Sequence, residues 1–168
     1  LVSCSSDDLD SVSDNSSKNE AISFDGYCGR SAVAVNGSRG SVVDIKALQE
    51  STEGFGVFGN YSSTTEGTTP AYGNSLFKNQ QVTYDKTKSK WTYSPLRFWP
   101  TQGYIDFLAY APYDSQYDNI VTKDNQKLTF TVDSNIKNQK DLLYANAVGQ
   151  TKDGISSTGN KVKFQFAH

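Results

Sequence analysis

The side chains that could do chemistry are few and scattered through the 168 residues. Hydrolysis through a nucleophile needs a base beside it and a third group to orient that base. The chain has one histidine, His168, at its last position, so any Ser/His/Asp arrangement would hang on the final residue. Two cysteines, Cys4 and Cys28, have neither the CxxC spacing of zinc and redox sites nor another histidine to activate them. Asp106, Asp114 and Asp118 lie close in sequence, and a carboxylate pair can hydrolyse a glycoside. Two of them, however, fall in "APYDSQYDN", where aspartate stabilises turns. "DGYCGR" does not fit a calcium loop, and "GYCGRS" lacks the lysine and following helix of a phosphate cradle. No catalytic residue, metal or cofactor is expected.

Two other features invite a role. Cys4 stands after "LVS" and before the polar run "SSDDLDSVSDNSSKNE", a place that suits neither packing nor a structural disulfide. The segment "WTYSPLRFWP" gathers Trp91, Tyr93, Phe98 and Trp99, and Tyr104, Phe107, Tyr110 and Tyr113 follow. Flat rings can stack on sugar faces, or they can fill a sandwich core, where each buries roughly 150–250 Å². Core is the preferred reading; a stacking platform at Trp91 and Trp99 is the alternative, and burial separates the two.

The elements that would position these residues are mostly strands. "AISFDGYC", "SAVAV", "FGVFGNY", "QQVTYD", "KWTYS", "YIDFLAYAP", "NIVTK", "KLTFTVD", "DLLYANAV" and "KVKFQF" are rich in β-branched and aromatic residues. Gly, Asn, Asp, Ser and Pro clusters separate them, the pattern of a β-sandwich or barrel. Alternation puts Val162, Phe164 and Phe166 on one strand face, and likewise Leu128, Phe130 and Val132. Phe107 shares a face with Ile105 and Ala109, and Trp91 with Tyr93. Only "SVVDIKALQES" has helical spacing, with Val42, Ile45 and Leu48 at steps of three. "YSSTTEGTTPAYGNS" reads as an exposed loop. Residues 1–20 read as a disordered tether with almost nothing to bury, and residues 21–168 as one sandwich domain.

The bulk numbers narrow the partners. A net charge of −2 with dispersed lysines leaves no basic footprint for nucleic acid. No apolar run approaches the roughly 20 residues of a membrane helix. The sequence contains no methionine and ends inside a strand-like alternation, which is the expectation for a piece of a longer protein.

In order along the chain, "FGVFGNY", "WTYSPLRFWP", "YIDFLAYAPY", "DLLYA" and "VKFQFAH" resemble the landmarks of the fimbrillin-like proteins of Bacteroidales, from about Ile22 to His168. The resemblance implies an all-β, Greek-key, transthyretin-like sandwich, the N-terminal one of two, with the second lying beyond this chain. It also implies a lipoprotein precursor, in which "LVSC" is the tail of a lipobox and Cys4 the acylated residue. Acyl chains contribute roughly 0.8 kcal/mol per buried CH₂ to membrane binding. A third implication is cleavage by a trypsin-like protease at Arg39, in "GSRGSVVDIKAL", or at Arg30, which would remove an N-terminal strand from "AISFD" or "SAVAV". Here Ser38 and Gly40 flank Arg39 where the family has Thr and Ala, so the match is partial. The expected protein is a cell-surface fimbrial subunit or tip component at the outer membrane. Its implied partners are other subunits, joined by donor-strand addition, membrane lipid through Cys4, and a host or bacterial surface ligand. The alternative is a surface glycan-binding lipoprotein.

Overall fold

The alternation in "KVKFQF" becomes a strand whose Val162, Phe164 and Phe166 are all fully buried while Lys163 and Gln165 face outward. The computed structural model describes residues 20–28, 45–62, 76–117, 134–135 and 142–167. Seven strands are described: β1 (Phe24–Cys28), β2 (Phe55–Ser62), β3 (Phe77–Asp85), β4 (Lys90–Thr92), β5 (Tyr104–Ala111), β6 (Leu143–Gln150) and β7 (Val162–Phe166). One α-helix, α1 (Ile45–Glu50), precedes β2, and short 3-10 turns lie at Ser115–Tyr117 and Gly154–Thr158.

The larger sheet has the order β4-β3-β2-β5-β6, with every pair antiparallel. β2, β3 and β4 follow one another as a meander, and β5 then returns to lie on the free side of β2. That order, fourth strand beside the first of three, is a Greek key. Asp85 sets the β3–β4 turn by accepting the N–H groups of Thr87 and Lys88 at 2.9 and 3.0 Å, as aspartate does in turns.

The smaller sheet pairs β1 with β7 in parallel, from Phe24 opposite Val162 to Cys28 opposite Phe166. Two single bridges tie it to the larger sheet. Ala167 exchanges both backbone bonds with Tyr144 of β6, at 2.9 and 3.1 Å. Ala21, just before β1, bridges Phe98 in the segment after β4. The protein is therefore an all-β sandwich whose second layer is stitched at both ends to the first.

Between the layers lies one core, built from Ile22 and Phe24, Phe55 and Val57 of β2, Phe77 and Val82 of β3, and Ile105, Phe107 and Ala109 of β5, with β7 opposite. Leu48 of α1 is buried in it and Ile45 packs against it. The Ser51 hydroxyl ends the helix by accepting the N–H groups of Glu53 and Gly54, each at 3.0 Å. Gly54 then takes a φ of +64°. A Cβ there would lie 1.9 Å from the Val82 carbonyl oxygen, so only glycine allows β2 to start against β3.

Some expectations meet the structure differently. Tyr61 and Ser62 extend β2 and are not part of a loop. The strand β4 ends at Thr92, so Tyr93 lies just beyond it. Of the helical segment, 45–50 is helix and 41–44 lie outside the described residues. "SAVAV", "NIVTK" and "KLTFTVD" also lie outside them, as do Leu128, Phe130 and Val132.

Candidate functional site

The feature with most capacity to interact is the seat that holds β1. Its backbone is gripped from both sides. Toward the larger sheet, Ile22 donates its N–H to the Arg97 carbonyl at 2.8 Å, and Trp99 donates to the Glu20 carbonyl at 2.9 Å. Toward β7, Val162 donates to the Ser23 carbonyl at 2.8 Å, and the parallel ladder follows. Glu20 is thus held by its carbonyl to the segment after β4.

The side chains of this strand alternate as the seat demands. Ile22 and Phe24 are buried. The Phe24 ring is surrounded by five others: Phe55, Phe77, Tyr93, Phe107 and Phe164, with centroids 5.4 to 6.5 Å away. Edge-on contacts dominate, the arrangement that aligns ring edges with ring faces. Two positions further on, Gly26 faces Phe166; a Cβ would lie 3.0 Å from Phe166 Cε2. The seat therefore takes bulk at 22 and 24 and almost none at 26.

Tyr93 latches the start of the strand. Its hydroxyl donates to the Ile22 carbonyl at 2.6 Å and accepts the Arg97 N–H at 3.3 Å. Burial pushes the Tyr93 phenol above its ordinary range, opposed by the Arg97 backbone bond and charge.

The residues singled out from sequence fall as follows. Cys4, Arg30 and Arg39 lie outside the described residues. Trp91 is 6% exposed, edge-on to Phe55 at 4.8 Å and to Tyr84 at 5.2 Å; Trp99 is 3% exposed and edge-on to Phe107 at 6.3 Å. Both indoles lie within the core, so neither presents a ring face to a sugar, and the stacking platform has no support at these positions. Asp106 is buried in β5 and accepts the Gly149 N–H at 2.8 Å. The Asp114 carboxylate accepts from Gln116 in its own turn, and its carbonyl and N–H lie at the Tyr110 hydroxyl. About 13 Å of strand separates Asp106 from Tyr110, so these two aspartates do not form the close pair that glycoside hydrolysis needs. Asp118 lies outside the described residues. Among the described residues no three His, Cys, Asp or Glu side chains gather as a metal site.

Sequence reasoning marked "AISFD" as a strand but missed Gly26 and Tyr93. The glycine two places after Phe24 was the available signal for the first. For Tyr93 there was none, because its partner Ile22 is 71 residues away.

Fold and seat together define an all-β, Greek-key sandwich completed by its own first strand. A family described as fimbrillin-like matches residues 42–168, and the chain belongs to it. The whole chain aligns at 29% identity, over 185 residues, with fimbrium subunit Fim1C of Phocaeicola vulgatus, covering 45% of that protein. A crystal structure of a fimbrial protein from Bacteroides vulgatus matches 88% of the chain at a TM-score of 0.58 and 26% identity, covering 45% of that structure. The chain spans somewhat less than half the length of each of these two relatives.

Proposed function

We propose that this chain is the N-terminal part of a fimbrial subunit, and that it joins its neighbours by exchange of the strand in the β1 seat. The observation that carries the reading is the seat itself. Removing residues 20–28 would strip two buried side chains from the core and take from the Trp99 and Val162 N–H groups the Glu20 and Ser23 carbonyls they donate to. Open backbone groups beside apolar pockets are what an added strand satisfies. Burial of each large apolar side chain contributes about 1.5–3 kcal/mol, so a vacated seat favours refilling. The fimbrial names of the two relatives support the same reading.

Removal requires a cut between β1 and α1. The three arginines are Arg30, Arg39 and Arg97. The Arg97 backbone is engaged through its N–H and its carbonyl in the seat, whereas Arg39 and Arg30 fall between β1 and α1. Arg39, with Arg30 behind it, is the site of processing in this reading. Cys4 is the acylated anchor that holds the precursor at the outer membrane during export, with the polar run as its tether. The adhesive role, toward a host or bacterial surface, follows from fimbrial assembly.

The test uses the protein together with the sequence that follows residue 168. Digestion with an arginine-specific protease should cut after Arg39 or Arg30 and yield filaments in negative-stain electron microscopy. Cleavage elsewhere, or cleaved protein that stays monomeric, would refute strand exchange.

A further inference from the structure

The rung that opens the β1 seat is a mismatched pair. Ile22 donates to the Arg97 carbonyl and Trp99 to the Glu20 carbonyl, the two bonds that flank the antiparallel bridge between Ala21 and Phe98. In a pair flanked this way the Cα atoms lie roughly 4.5 Å apart and the side chains stand close together on one face. That face is the outer one, because the neighbours Ile22 and Trp99 are the residues buried in the core. The Phe98 ring is 50% exposed, and the strand sets only the Ala21 methyl group against it. The pairing stops after this rung. The Ile22 carbonyl and the Arg97 N–H, which would form the next one, both go to the Tyr93 hydroxyl, at 2.6 and 3.3 Å. Position 21 is therefore where the segment after β4 meets an outward side chain of the strand face to face.

We propose that Phe98 selects the strand that fills the seat, and that its preferred occupant is a strand of another subunit with a large apolar residue where this chain has Ala21. The proposal rests on the strand-exchange reading above and adds what the incoming strand looks like. It has a large apolar side chain at position 21, bulk at 22 and 24 as in this chain, and almost none at 26, where Phe166 leaves little room. A branched aliphatic side chain directly opposite an aromatic ring holds two strands together better than alanine does. At position 21 it would lie on the solvent side, so it removes ring surface from water without crowding the core. While β1 belongs to the same chain, linkage makes up for the poor rung, since a joined segment competes at an effective concentration on the order of millimolar. Once severed, β1 holds by fit alone, and a strand that covers Phe98 displaces it. The alanine thus makes the chain's own strand a replaceable occupant.

The test uses the full-length protein and its Phe98→Ala variant, which should fold normally by circular dichroism because the ring is half in solvent. Each is digested as above, the excised strand is washed out in dilute urea, and two fluorescent peptides of residues 20–28 are titrated in, one native and one carrying Ala21→Ile. On the unmodified body the isoleucine peptide should bind about tenfold more tightly than the native one. On the Phe98→Ala body that advantage should shrink to about threefold or less, the remainder being isoleucine's own preference for strands. An advantage of the same size on both bodies, or none on the unmodified body, overturns selection by Phe98 and leaves strand exchange standing. If neither peptide binds the unmodified body, strand exchange and this proposal fall together.

Discussion

Tyr110 shows how a single hydroxyl can organise a face of the sandwich away from the main core. It donates to Asn79 Oδ1 and accepts the Asp114 N–H at 3.1 Å, while Asn79 Nδ2 reaches the Asp114 carbonyl at 2.9 Å. Gly56 runs beneath, where a Cβ would lie 2.4 Å from the Tyr110 ring. Burial drives the Tyr110 phenol well above its ordinary value of 10.0, and Tyr93 is raised for the same first reason. A phenol that holds its proton in the folded state but releases it when unfolded stabilises the fold only below its unfolded pKa. Stability should therefore be level up to about pH 10, then fall as the pH climbs toward the folded values. Urea titrations between pH 8 and 11.5 check this. Tyr110→Phe should be about 1–3 kcal/mol less stable at pH 8, because buried partners lose the hydroxyl. Its further loss above pH 10 should be shallower than that of the unmodified protein; an equal slope would mean that Tyr110 does not carry the effect.

Among the elements, β5 is the one whose role was only half legible. Its odd positions, Ile105, Phe107 and Ala109, could be placed on the core face from alternation alone, and they are buried there. Its even positions from 106 onward are buried as well, Leu108 and Tyr110 among them, because β5 is a central strand and the turn at 112–117 folds back over it. Alternation reports one buried face and is silent when both are covered. Asp106 is the polar exception on that second face. It accepts the Gly149 N–H where the β5–β6 register shifts, between Ile105 and Phe107, and Gly149 has a φ of +61° there. Nothing local in "GYIDFLAY" discloses a partner 43 residues on. Asp106→Ala should cost about 1–3 kcal/mol in urea unfolding by leaving that N–H unpaired, whereas Asp106→Asn, which keeps an acceptor oxygen, should cost less than half as much. Equal losses for the two variants would contradict the bond's role in the bulge. β7 was legible throughout, since one of its faces is open to solvent and its alternation is complete.

For the whole molecule, the all-β class and its strand-rich order could be read from β-branched runs between turn residues, and the Greek-key order came with the family resemblance. The parallel pairing of β1 with β7 could not, because it joins segments about 140 residues apart with no local signal for direction. Yet that pairing gives the molecule its character: the first strand lies between the last described strand and the segment that follows β4, and it completes a core it does not dominate. If exchange of that strand is how subunits join, then subunits within filaments must lack it. Filaments grown from the full-length protein should be purified, dissociated, and mapped by peptide mass spectrometry. Subunits should begin after Arg39, or after Arg30, with the peptide covering residues 20–28 absent. Filament subunits that retain residues 20–28 on the same chain would contradict the exchange of β1.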